Sequence, residues 1–292
     1  MRCNDNERTE RKKNLKHIYL NLKRFDIPKE YGGVNSIADP GEWGKYIVEN
    51  TREELSRYSK DEVEFVMYLP EAHLIGAISD LEKGGILQIG CQSVYREDTA
   101  IGGNFGAFTT NRTGNSMKAI GCTGTIIGHC EERKDKAGIL LEAGITDTDA
   151  VNRILNKEIK AATKAGLKVL YCIGESAEEQ ENWQEVLKKQ LSVGLDGVDM
   201  SKISIAYEPI WAIGPGKTPP DKDYIEKIAR FIKSETNGLP VTYGGGLKVD
   251  NAKMLASIPE IDGGLIALTR FQGEIGFYPD EYIEIIKTYL GK

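Results

Sequence analysis

Glu208 ends an apolar segment, Ile203 to Tyr207, and is followed at once by Pro209-Ile210-Trp211-Ala212-Ile213-Gly214-Pro215. The segment reads as a strand. The stiff Pro-Ile-Trp stretch, the small-residue tip and a second stop at Pro219-Pro220 read as a loop that closes as one piece. A carboxylate beside such a lid suits a general base working away from water. Gly216-Lys217-Thr218 is not half of a phosphate-binding P-loop, because Trp211 stands where that motif needs its first Gly. Taken alone, Glu-Pro is also compatible with an ordinary strand-to-loop junction, since Pro disfavours helix at the residue before it.

Four other apolar runs end in groups that can do chemistry. Asn21-Leu22-Lys23 puts a fixed positive charge where an anion would lie, although a lone lysine is most often a solvated surface residue. Ile126-Ile127-Gly128 leads into His129-Cys130-Glu131-Glu132-Arg133, a titratable group at a strand end. His17 and His73 read as satisfied core side chains. Thr242-Tyr243 leads into Gly244-Gly245-Gly246, which lets backbone N–H groups crowd an anion or simply makes a tight turn. Leu265 to Leu268 leads into Thr269-Arg270-Phe271, where Arg270 either grips a phosphate bidentately or pairs with Glu274. Glu175, after Cys172-Ile173-Gly174, reads as structural.

Something must bring these ends together. Short apolar runs alternate with amphipathic ones along the chain. Strands are expected at His17–Leu22, Glu64–Tyr68, Leu87–Gly90, Gly124–Gly128, Lys168–Ile173, Ile203–Tyr207, Pro240–Tyr243 and Gly264–Leu268. Helices are expected at Glu42–Tyr58, Glu71–Lys83, Thr113–Ile120, Thr148–Ala165, Glu178–Leu191, Asp221–Ser234, Asp250–Ala256 and Pro279–Tyr289. Such alternation implies a parallel sheet with crossover helices. Eight units in 292 residues fit a single α/β (β/α)8 barrel, which typically takes about 250. An open doubly wound sheet is the alternative, weakened because no GxGxxG follows the first strand. The expected domain is 17–292, with 1–16 a polar extension and with Asp26–Pro40 and Ala100–Phe105 as elaborations.

The net charge of −6 and pI near 5.4 argue against a nucleic-acid partner but leave a locally positive site possible. The five cysteines, Cys3, Cys91, Cys122, Cys130 and Cys172, lack metal-ligand spacing. With no export signal, they read as reduced thiols of a cytoplasmic protein. No apolar run is long enough to span a membrane.

The segment around Glu208, the Asn21-Leu22-Lys23 end and the His129 end together resemble the triosephosphate isomerase family. Further matches are Gln92-Ser93-Val94-Tyr95 and Gly106-Ala107-Phe108-Thr109. The resemblance implies aldose–ketose isomerisation of glycerone phosphate and D-glyceraldehyde 3-phosphate through an enediolate. It gives Glu208 the role of base, His129 that of neutral electrophile, and Lys23 that of substrate cation held by Glu131. Asn21, Gly214, Gly244, Gly245, Gly246 and Arg270 become the substrate-binding candidates. The resemblance also implies a homodimer joined through the third loop, and no metal or organic cofactor. Four positions depart from the family pattern. Cys130 replaces Ser and supports the base differently, Gly246 replaces Ser, and Ala267-Leu268 replaces a Gly-Gly phosphate seat. These departures motivate an alternative substrate, a four-carbon ketose phosphate. A barrel kept only as a binding protein is a further alternative.

Overall fold

A computed structural model describes residues 15–147, 149–214 and 216–292. Residues 1–14 of the expected extension, Cys3 among them, lie outside the described residues, as do Thr148, the expected start of a helix, and Pro215 of the lid. The strands are β1 (Lys16–Asn21), β2 (Val63–Leu69), β3 (Leu87–Gln92), β4 (Gly124–Ile127), β5 (Lys168–Ile173), β6 (Ile203–Tyr207), β7 (Val241–Tyr243) and β8 (Gly263–Ile266). They pair in chain order, all parallel, and β8 closes on β1 through His17↔Gly263 to Leu20↔Ile266. The fold is a (β/α)8 barrel.

Parallel strands covered on both faces need continuous apolar sequence, and β2 is buried at all seven positions. Alternate side chains fill the barrel interior: Tyr19, Val66, Tyr68, Ile126, Leu170, Cys172, Ala206 and Leu265 form one cluster. The intervening residues, such as Ile18, Phe65 and Met67, join the larger layer beneath the helices. At the N-terminal end of the barrel, Glu64 is held by His17 and Lys168. Burial alone would raise its pKa, but these two partners outweigh burial and hold it at about 2.

The helices are α1 (Trp43–Glu49), α2 (Arg52–Leu55), α3 (Glu71–Ser79), α4 (Gly114–Ala119), α5 (Cys130–Glu142), α6 (Asp149–Lys164), α7 (Trp183–Gly194), α8 (Lys222–Glu235), α9 (Val249–Ala256) and α10 (Pro279–Leu290). α8 shows the logic of the set. Asp221 caps it by accepting the Tyr224 N–H at 2.8 Å, and Ile225, Ile228, Ala229 and Ile232 form its buried stripe.

Five expectations need correction, two of them helix bounds: α3 stops at Ser79 and not at Lys83, and α7 begins at Trp183 and not at Glu178. The helix expected over Glu42–Tyr58 breaks at Asn50 and Thr51, where the Thr51 hydroxyl turns back onto the Ile47 carbonyl at 2.7 Å. α5 was not expected: none of its residues is buried, so it carries no apolar period. β8 stops at Ile266, two residues before its expected end. The segment after it turns into a hairpin closed by an antiparallel bridge between Arg270 and Gly276.

Candidate active site

Lys23, His129 and Glu208 follow the C-terminal ends of β1, β4 and β6, so the barrel gathers them at one mouth. Each is held by its own surroundings. Lys23 has φ of 42°, a left-handed conformation that costs a non-glycine residue on the order of 1–3 kcal/mol. Buried Asn21 maintains it by accepting the Lys23 N–H at 3.1 Å. The Gln92 side-chain amide spans Asn21 Oδ1, the Lys23 carbonyl and the Tyr68 carbonyl, each at 3.2 Å. Lys23 Nζ donates to Glu131 Oε1 at 2.9 Å. Burial would raise the Glu131 pKa, but Lys23 outweighs burial and lowers it.

His129 is the N-cap residue of α5, and its Nδ1 accepts the Glu131 N–H at 3.3 Å. An accepting Nδ1 leaves the proton on Nε2. Arg133, one turn along, ties this corner down. Its Nε donates to the Gly128 carbonyl at 2.8 Å, and its other nitrogens reach the Cys172 carbonyl at 3.0 Å and Asn152 Oδ1 at 2.8 Å.

Glu208 is 1% exposed. Its Oε2 accepts the Cys130 N–H at 2.9 Å. Its Oε1 stands 3.2 Å from His129 Nε2, close enough for charge to act, yet among the described residues it has no hydrogen-bond partner. The approach is near but misaligned, so one oxygen is anchored and the other is free to take a proton. Burial raises the Glu208 pKa against the opposing pull of His129, the Cys130 N–H and Lys23. Burial, with Glu208 next in effect, also pushes the Cys130 thiol up to about 12. The absence of a side chain at Gly244 matters here, since a Cβ would stand 2.8 Å from Glu208 Cγ.

The lid is anchored at its root. Glu175, fully buried, accepts from Tyr207 Oη and Trp211 Nε1, both at 2.8 Å, and from Tyr224 Oη at 3.1 Å, all on Oε1. Beyond that root, Gly214 and residues 216–219 are exposed, and nothing lies within 4 Å of where a Gly214 side chain would be.

The anion side of the mouth differs from expectation. Gly244, Gly245 and Gly246 follow β7, with Gly246 at φ of 96°. Arg270 meets neither expectation. Its guanidinium donates to Glu281 through Nε at 2.8 Å and NH2 at 2.5 Å and stacks on Tyr278, because the hairpin turns it toward α10. Glu274 pairs instead with Lys29, in the Asp26–Pro40 elaboration. No helix begins at Ala267-Leu268. A cation overlooked in the sequence stands nearby. Lys248 Cε is 3.5 Å from where a Gly246 Cβ would be, and its ammonium lies 3.8 Å from the Phe271 ring centroid. Burial lowers its pKa, with Asp250 opposing. Its signal was its place two residues after the glycine run; Gln92 and Arg133 gave only local matches without a role.

A cleft of about 720 Å³ opens beside these groups, lined by Asn21, Lys23, Gln92, His129 and Glu131 and reaching Glu132 and Glu158. Glu208 does not line it.

A family model described as triosephosphate isomerase matches residues 42–287. The triosephosphate isomerase of Lactobacillus helveticus is 34% identical over 257 residues, covering 82% of this chain and 90% of the relative. That of Chlorobium phaeovibrioides is 36% identical over 203 residues, covering 66% and 74%. The crystal structure of triosephosphate isomerase from Bartonella henselae superposes with a TM-score of 0.69 at 24% identity, over 94% of this chain and 99% of that one, a likeness of fold.

Proposed function

The chain belongs to the triosephosphate isomerase family, and from that premise we propose that it interconverts glycerone phosphate and D-glyceraldehyde 3-phosphate through an enediolate. The observation that carries the proposal is the pairing of a buried carboxylate, with one oxygen free of hydrogen bonds, and an imidazole nitrogen 3.2 Å away. Glu208 Oε1 takes a proton from the carbon beside the carbonyl. The electron pair left behind moves onto the carbonyl oxygen. His129 Nε2–H polarises that oxygen and shuttles a proton between the two oxygens, and Glu208 returns its proton to the neighbouring carbon. Lys23 offsets the enediolate charge. A dehydrated carboxylate is a stronger base, so burial of Glu208 and closure of the Trp211 lid act in the same direction.

The phosphate falls to the Gly244–Gly246 turn, to the Gly214 N–H once the lid closes, and to Lys248. Arg270 has no part in this reading, since Glu281 holds it. The hairpin after β8 favours a second reading, a four-carbon ketose phosphate, because it replaces a helix N-terminus with a reshaped wall. Turnover of purified protein on three- and four-carbon ketose phosphates separates the two. A large excess of kcat/KM for the four-carbon compound would overturn the first.

A cytoplasmic homodimer belongs to the same proposal. Ile101 and Phe105, large apolar side chains in the third loop, stand fully in solvent. The cleft beside Lys23 offers a second copy's loop somewhere to go. Among the described residues, no helix is long and apolar enough to cross a membrane.

A further inference from the structure

We propose that His129, Cys130 and Glu208 form a capture site for a thiophilic divalent cation, Zn²⁺ foremost, whose binding halts proton transfer. One ligand atom from each residue lies within 4.8 Å of the other two. His129 Nε2 is 3.2 Å from Glu208 Oε1, whereas the 3.7 Å approach of Cys130 Sγ is to the other ring nitrogen, Nδ1. The buried Glu208 Oε1 has no hydrogen bond to give up, so its lone pairs are available to a metal.

Nitrogen, sulfur and oxygen are all zinc donors, and three protein ligands leave the fourth tetrahedral position to a water. Bond lengths of about 2.0–2.3 Å place tetrahedral ligand atoms roughly 3.4 Å apart. The separations within the set, up to 4.8 Å, close to this distance when the side chains rotate inward. Charge decides whether such rotations are worthwhile. The N-terminus of α5 and Lys23 both disfavour a cation. Lys23 is already paired with Glu131, and a thiolate plus a carboxylate cancels the remaining dication charge. On ligation the S–H bond breaks and its proton goes to solvent, the Nε2 proton passes by way of solvent to Nδ1, which gives up the Glu131 N–H, and the freed sulfur and Nε2 lone pairs bind the zinc, with no change of oxidation state. The metal then occupies the lone pair that would take the substrate's proton. Hard cations gain little from a thiolate, so Mg²⁺ is excluded by ligand type.

Loss of activity rests on the proposed isomerisation, whereas metal binding does not. Metal-free wild type and Cys130→Ser are titrated with Zn²⁺ while turnover is followed, and with Co²⁺ while sulfur-to-metal charge-transfer absorption is followed. The expected result is stoichiometric Zn²⁺ inhibition of wild type, reversed by a chelator and not reproduced by Mg²⁺, with a Co²⁺ band. In Cys130→Ser, half-inhibition should need at least about tenfold more Zn²⁺, relative to that variant's own metal-free rate, and the band should vanish. Equal Zn²⁺ sensitivity in both proteins, a band retained in Cys130→Ser, or no band in wild type would overturn the site. If wild type turns over no triose phosphate, the functional reading fails while the Co²⁺ band still decides the metal site. Circular dichroism checks the fold of Cys130→Ser, and Cys130→Ala takes its place if that variant does not fold.

Discussion

Glu208 shows how one residue's surroundings make a base. Its carboxylate is enclosed, and enclosure penalises the charged form more than His129, the Cys130 N–H and Lys23 relieve it. Its pKa therefore lies above the usual 4.5. Proton abstraction needs the ionised form, so activity is lost as pH falls through the raised value. We expect the acid limb of kcat/KM, which reports the free enzyme, to lie clearly above pH 4.5. A steady-state pH profile checks this, and a limb at or below that value would mean that enclosure does not act on the catalytic carboxylate. The common placement of Lys23, His129 and Glu208 was legible because each follows an apolar run, which a barrel turns into one mouth, while their proposed roles came from the resemblance to the family. The role of Gln92 was not legible. It depends on three acceptors, two at the end of β1 and one in β2, meeting one amide, which no local pattern announces.

Among the elements, the strands were legible because burial on both faces demands largely apolar runs, as in β2, where Glu64 is the one charged residue of seven. α5 was not, because a helix that buries no residue has no stripe to read. The loop after β8 was misread for a related reason. Leu265 to Leu268 looks like strand, but Ala267 and Leu268 leave the sheet and the chain folds back through Arg270 and Gly276. That reversal sends Arg270 to Glu281 and leaves Lys248, over Phe271, as the cation beside the glycine turn. Charge-assisted contacts to an anion contribute about 1.5–3 kcal/mol. We therefore expect Lys248→Met to raise KM for the phosphorylated substrate by about tenfold or more, with a smaller effect on kcat. Steady-state kinetics with equal KM for variant and wild type would remove Lys248 from the phosphate site.

The whole barrel separates stability from chemistry. Glu64, His17 and Lys168 fasten the N-terminal ends of the strands, while Lys23, His129 and Glu208 occupy the opposite mouth. The same architecture places the third loop outside the barrel, with Phe105 92% exposed. If that loop docks a second copy, Phe105→Asp should shift the protein from dimer to monomer in sedimentation velocity. Wild type that already sediments as a monomer would contradict the proposed assembly. The central claim is that Glu208 moves a carbon-bound proton within this mouth. Its most direct measurement is deuterium entry from D2O into glycerone phosphate at the carbon beside the carbonyl, followed by NMR with wild type and Glu208→Gln. The account predicts rapid exchange by wild type and a loss of about 10²- to 10⁴-fold in a folded Glu208→Gln. Undiminished exchange in that variant, or none in wild type, would contradict it.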